Sequence, residues 1–253
     1  MVSDYPEINF YVNSSEYHET NMTSYFARMY QARYLAGILA GMQTESDRIG
    51  YVAAMPNYEV NRGINAFTLG VKRVNPEANV VVSFSGMWDD EAAEKAAAQA
   101  LIDEEGVDVL TYHQNKNHVI RVAEAAGISS IGYHKPFEEF SDGYLTSVIC
   151  DWQPVYRELV REYLRGNANI RQNYWIGIET GAVGLSPYSP KVTEEMKAEI
   201  QKAIKEMFDG KDVFAGRIYD NEGNLRCDEN EIISDEMLLE QFDWYVEGVE
   251  FHE

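Results

Sequence analysis

Between Arg48 and Ile149 the sequence repeats one pattern: a short apolar run, a polar loop, then a segment of helical period. Ile49-Gly-Tyr-Val-Ala-Ala54 reads as a buried strand, with Met55-Pro-Asn-Tyr58 as the loop leaving it. A helix is expected over about Asn61–Val74, stopped by Asn75-Pro76, because proline disfavours a helical residue before it. Asn79–Ser85 is the next strand, Gly86-Met-Trp-Asp-Asp90 its loop, and the alanine-rich Glu91–Glu105 a helix ending at Gly106. Val107–Tyr112, the loop His113-Gln-Asn-Lys-Asn117, helix Val119–Ala126 and strand Ser129–Tyr133 complete the series. Strands alternating with helices in this way predict an α/β fold, a parallel sheet covered by helices on both faces.

The flanks are less regular. Ile8–Val12 reads as a short strand, and Phe26, Met29, Tyr30, Arg33, Tyr34 and Ile38 recur at helical spacing, predicting a helix from about Ser24 to Met42 capped by Thr23 or Ser24. After the strand Leu145–Ile149 come a helix over Asp151–Arg165, a strand Tyr174–Ile178 and an irregular stretch Gly181–Tyr188. A charged helix Thr193–Phe208, a hairpin end at Asp220-Asn-Glu-Gly223 and a helix from about Asp235 to Phe242 close the chain.

Charge narrows the partners. With 42 acidic against 21 basic side chains the net charge is −21, which repels phosphate backbones and anionic lipid surfaces and speaks against nucleic acid. Nothing approaches the roughly 18 apolar residues of a membrane span, and Met1-Val-Ser-Asp-Tyr-Pro6 does not read as an export signal. Cys150 and Cys227, far apart, read as free thiols, and His113 and His118 have no carboxylate or thiol in metal-ligand spacing. No metal or other cofactor is called for.

In open parallel sheets, solutes bind where loops leave the carboxyl ends of the strands. That rule selects Asn57-Tyr58-Glu59, Trp88-Asp89-Asp90, His113-Gln114-Asn115 and His134-Lys135. Together they offer an aromatic face on Trp88, edge-reading amides on Gln114 and Asn115, and imidazoles including His134, a set suited to a planar hydrogen-bonding solute. Catalytic motifs are missing: no G-x-S-x-G, H-E-x-x-H, P-loop or G-x-G-x-x-G occurs, and Asp89-Asp90-Glu91 opens a helix, where acidic residues oppose the helix dipole. No catalytic residue is assigned.

Several longer motifs then fall into a familiar order. Thr23-Ser-Tyr-Phe-Ala-Arg-Met-Tyr-Gln-Ala-Arg-Tyr-Leu-Ala-Gly37, Ile49–Pro56, Arg62–Gly70, Trp88-Asp89, Ala100–Asp103, Leu145–Val148 and Asp243-Trp-Tyr-Val-Glu-Gly-Val249 resemble the basic membrane protein family. These are substrate-binding lipoproteins of ABC transporters and include purine nucleoside receptors. The resemblance implies a type I periplasmic-binding fold of two Rossmann-like lobes closing on a solute, residues 48–149 forming one lobe and 1–47 with 150–253 the other. It also implies that this second lobe lacks its opening strands, roughly 70 to 90 residues by the spacing of βα units. An ABC permease is the implied partner and an extracytoplasmic, lipid-anchored full-length form the implied location, the anchor lying outside this chain. Where nucleoside-binding members carry an aspartate and a lysine, this chain has His134 and Cys150, with Trp152 nearby. The ligand set implied is therefore Trp88, Gln114, Asn115, His134, Tyr58 and Trp152, receiving a purine base, nucleoside or similar planar solute. The alternatives are a ligand-sensing regulator of the same fold, or a small-molecule enzyme.

Overall fold

A computed structural model describes residues 2–13, 19–134, 136, 142–167 and 173–252. In chain order the elements are β1 (Phe10–Asn13), β2 (Met22–Ala27), α1 (Met29–Gln43), β3 (Arg48–Ala53), α2 (Tyr58–Val74), β4 (Asn79–Phe84), α3 (Glu91–Glu105), β5 (Val109–His113), α4 (His118–Ala126) and β6 (Ser129–His134). They continue as β7 (Tyr144–Cys150), α5 (Trp152–Leu164), β8 (Asn173–Ile176), β9 (Val183–Leu185), α6 (Glu194–Phe208), β10 (Ile218–Tyr219), β11 (Leu225–Cys227), α7 (Asp235–Glu240) and β12 (Val249–Phe251). The architecture is α/β with parallel pairing dominant, as expected.

The chain packs as two compact units, one of residues 1–29 and 150–184, the other of 30–149 and 185–253. The sequence reading drew its two lobes as 48–149 and as 1–47 with 150–253. Residues 30–47 and 185–253, placed by that reading with the first unit, pack instead with the second.

In the first unit β1, β2 and β8 form a parallel sheet with β2 central. Its described core is Val155, Leu159, Tyr174, Ile176 and Ala182, with Tyr11, Tyr25 and Trp152 packed against it. Here the expected helix start is corrected: Met22–Ala27 is a strand, and α1 begins only at Met29. Ladders on both sides, to β1 and to β8, outweigh the local helical spacing of Phe26, Met29 and Tyr30.

The second unit is built on a sheet of order β12-β4-β3-β5-β6-β7-β9, with β7 and β9, where the chain passes between units, at one edge. The pairs from β12 through β7 are parallel. Gly50 faces Leu101 of α3, and Tyr51 meets Phe67 of α2 on the opposite face, as alternation along β3 requires. Helix limits follow their caps. Asn57 accepts from the Val60 N–H, Asp90 from those of Ala92 and Ala93, and Thr193 from Met196. Gly106, at φ 66°, ends α3 in the left-handed conformation that glycine adopts without strain.

One long-range lock explains two of the sequence motifs. α2 buries Asn61, Arg62 and Asn65, and all three reach the segment 238–246. Asn65 donates to the Trp244 carbonyl at 2.8 Å and accepts from the Val246 N–H at 3.0 Å. Asn61 donates to the Phe242 carbonyl at 3.0 Å and accepts from the Tyr245 hydroxyl at 2.7 Å. Each amide thus uses both halves, which is how buried polar groups become affordable.

Candidate functional site

Strand β3 is followed in sequence by β4 on one side and leads through β5 to β6 and β7 on the other, so the connections diverge between β3 and β5. Divergence of this kind opens a crevice at the carboxyl ends of the two strands. Glu59, in the first turn of α2 after β3, and His113, the last residue of β5, meet there, Oε1 to Nε2 at 3.8 Å.

A ladder of rings runs from that point. Trp88 lies edge-on to His113 with centroids 5.7 Å apart, His113 meets Tyr133 at 4.6 Å, and Tyr133 meets His134 at 4.7 Å. His134 is exposed and holds a positive φ of 73°, a conformation uncommon for a side-chain-bearing residue. Beneath the ladder the Arg33 guanidinium lies 4.0 Å from the Tyr133 ring centre and 5.3 Å from that of Tyr51. Arg33 is 1% exposed, and among the described residues no hydrogen bond meets any of its three nitrogen atoms. The Tyr51 hydroxyl, both His113 ring nitrogens and Oε1 of Gln114 are also buried without a hydrogen-bond partner among the described residues.

The protonation states follow from burial and from Arg33. Burial, joined by the Arg33 charge, pushes the His113 imidazole down to about 4, so it is neutral at pH 7. Burial alone would raise the Glu59 carboxyl, but His113, Arg62 and His134 hold it below the ordinary carboxylate range. Burial lifts the Tyr51 phenol to about 12 and raises that of Tyr133 as well. The surrounding protein and the Arg33 charge lower the His134 imidazole. At neutral pH the cluster therefore holds an ionised Glu59, neutral imidazoles and phenols, and the buried Arg33 cation.

The residues expected from sequence are distributed around this cluster. Trp88 is half-buried and Gln114 buried, its Nε2 donating to the Ser85 hydroxyl at 2.6 Å. The Asn115 N–H donates to the Trp88 carbonyl at 3.0 Å, tying the two loops together, while its side chain is exposed. Tyr58 is the first residue of α2 and 37% exposed. Trp152 belongs to the first unit, where its ring stacks on Tyr156 and meets Tyr25 edge-on. Lys135 lies outside the described residues. Sequence reasoning passed over Arg33, Tyr51 and Tyr133 as site residues and selected Glu59 only as part of the loop Asn57–Glu59. The signal for Arg33 was present: a charge on the apolar stripe of a helix, between Tyr30 and Tyr34.

Among the described residues no group of three or more His, Cys, Asp or Glu side chains is placed to hold a metal ion, and no helix is long and apolar enough to cross a membrane. Cys150 and Cys227 are free thiols. The first unit has a separate, mainly apolar groove of about 690 Å³, lined among others by Ile8, Tyr11, Tyr156 and Val160.

Residues 1–214 match the Bmp family model, described as ABC transporter substrate-binding protein, PnrA-like. The chain belongs to the Bmp family. It is 37% identical over 252 residues to the putative ABC transporter glucose-binding protein TsgA13 of Haloferax volcanii, covering 99% of this chain and 61% of that protein. It is 32% identical to the purine-binding protein BAB2_0673 of Brucella abortus, covering 99% of this chain and 71% of that one. Among solved structures, a transcriptional activator of the comK gene from Bacillus halodurans matches with TM-score 0.73 at 24% identity, over 83% of this chain and 73% of that one. An ABC transporter solute-binding protein from Conexibacter woesei matches with TM-score 0.65 at 19% identity, over 83% and 72%. These likenesses show the fold, that of type I solute-binding proteins.

Proposed function

We propose that this chain is the solute-binding part of an extracytoplasmic ABC-importer receptor, and that its second unit contacts a planar, hydrogen-bonding solute of purine type. The ring ladder Trp88–His113–Tyr133–His134 carries the reading. It sets aromatic surface beside buried polar atoms that the protein leaves unmatched, the usual makeup of a small-molecule site. In this reading Trp88 and His134 meet the solute's ring, Gln114 offers its free Oε1, and Asn115 and Tyr58 stand at the rim. An ABC permease is the proposed partner, and a lipid-anchored form at the outer face of the cell membrane the proposed setting. Binding and release without turnover is expected, since no nucleophile is paired with a base among these residues.

Family membership supports the receptor role, and the Brucella relative's name supports the purine class. The Haloferax relative's name makes sugars the competing class. A thermal-shift screen of purine bases, nucleosides and hexoses, repeated on Trp88→Ala, tests the choice. Stabilisation by purines, weakened about tenfold or more in affinity by Trp88→Ala, is expected for loss of a ring stack. Stabilisation by hexoses alone would reject the planar-solute reading. A regulatory role has one specific support: the transcriptional activator protein med of Bacillus subtilis is 23% identical over 206 residues. The acidic charge of this chain opposes direct DNA contact.

A further inference from the structure

Whether an amide side chain meets a solute as donor or as acceptor depends on which of its ends the protein has already taken. Gln114 follows the last residue of β5 and is 2% exposed. Its Nε2 donates at 2.6 Å to the hydroxyl of Ser85, the residue that follows β4. A serine hydroxyl has one proton to give and lone pairs with which to accept. Two carbonyls, which only accept, draw that proton: Met87 at 2.9 Å and Ala53 at 3.4 Å. Gly86, between Ser85 and Met87, holds φ 83°, a turn conformation that glycine adopts without strain. With its proton engaged, the Ser85 oxygen is left to accept, so it takes the NH2 end of Gln114 and not the carbonyl end. The Asn115 N–H, donating to the Trp88 carbonyl at 3.0 Å, ties the same two loops through the backbone. The relay thus runs one way, from Gln114 through Ser85 to Met87. It leaves Gln114 Oε1 buried with no hydrogen-bond partner among the described residues, a costly state until something donates to it.

We propose, on the reading of this unit as the solute-contacting one, that Ser85 is a positioning residue which fixes the Gln114 amide so that Oε1 is presented to the solute, and that the solute meets it with an N–H or O–H donor. Ser85 acts only through Gln114. A glutamine amide that is free to turn about its last torsion offers either end. One held in this way accepts only, and it discriminates against solutes that bring a carbonyl oxygen or an alkylated nitrogen to that point.

Two measurements on the 253-residue chain test this. The first needs no solute. Nitrogen-edited NMR is expected to show the Gln114 side-chain amide protons exchanging with solvent about tenfold or more slowly than those of an exposed glutamine, a protection lost in Ser85→Ala and kept in Ser85→Thr. The second is a double-mutant cycle by isothermal titration with adenine, hypoxanthine and glucose as probes. For a probe that binds, Ser85→Ala is expected to weaken affinity about three- to tenfold, and Ser85→Thr, which keeps the hydroxyl, to stay within about twofold. Gln114→Met removes the amide at similar length and is expected to weaken binding at least as much as Ser85→Ala. Adding Ser85→Ala to it should cost nothing more, a non-additivity that general structural damage does not produce. Additive losses, or amide exchange indifferent to Ser85→Ala, overturn the proposal and leave the solute reading intact. Binding of glucose alone rejects the planar solute, and the cycle run on glucose then decides the role of Ser85 by itself. Binding of none of the three probes overturns both.

Discussion

At the scale of single residues, the fate of His113 shows how context decides chemistry. Its position after an apolar run marks it as a residue at a strand end, but not its protonation state. In the fold both ring nitrogens are buried beside a guanidinium, and the imidazole stays neutral down to about pH 4. An unfolded histidine takes up a proton near pH 6.5. Between those two values the unfolded chain binds a proton that the folded chain does not, so stability falls as the pH drops from about 6.5 toward 4. The loss from this one group is on the order of 3 kcal/mol. Glu59, held below its ordinary range, acts in the same direction at lower pH, because its stabilising ionisation is lost on acidification. Urea melts of wild type and His113→Asn at pH 7 and pH 5 check the assignment. The variant is expected to lose less stability over that interval, and equal losses would place the acid sensitivity elsewhere. None of this was readable beforehand, since it depends on Arg33 arriving from a helix 80 positions away in sequence.

Among elements, α1 and α2 cross so closely that no side chain fits between them. A Cβ on Gly37 would lie 1.9 Å from the Phe67 carbonyl oxygen, and one on Gly70 would lie 2.1 Å from that of Tyr34. Backbone on both sides cannot yield as a flexible side chain does, so Gly37→Ala or Gly70→Ala is expected to destabilise by about 3 kcal/mol or more. Calorimetry reads that directly, and a neutral effect would mean that the helices separate at little cost. The α2 amides make a second, independent prediction. Asn65→Leu leaves the Trp244 carbonyl and the Val246 N–H unmet, at roughly 1–3 kcal/mol for each buried group. Here the sequence was legible in parts only. The motifs Arg62–Gly70 and Asp243–Val249 stand out in the chain, and so does Thr193 at the start of α6, because capping is local chemistry. That the two motifs lock onto each other, and that Met22–Ala27 forms a strand, depends on partners far off in sequence. Local spacing misread the second.

For the whole molecule, the two units differ in how much apolar surface they bury. The second packs helices against both faces of a long sheet. Its buried side chains include Leu35, Ile38, Ile49, Phe67, Leu110, Ile120 and Phe242, all at 0% exposure. The first relies on a three-stranded sheet and a small described core, while Tyr156, Val160, Tyr163 and Leu164 along α5 remain 49%, 58%, 53% and 77% exposed. Burial is the main favourable term in folding and scales with area, so opening the first unit requires less free energy than global unfolding. Hydrogen exchange is therefore expected to be fastest in β1, β2, β8 and α5, with β3, β4 and β5 the slowest. Val155→Ala, which removes a fully buried side chain from the small core, is expected to cost about 2 kcal/mol and to speed exchange in those elements. Exchange in β3–β5 should remain at its wild-type rate under the same conditions. If Val155→Ala accelerates exchange in both units equally, the chain unfolds as one cooperative body and the difference in burial does not divide its stability.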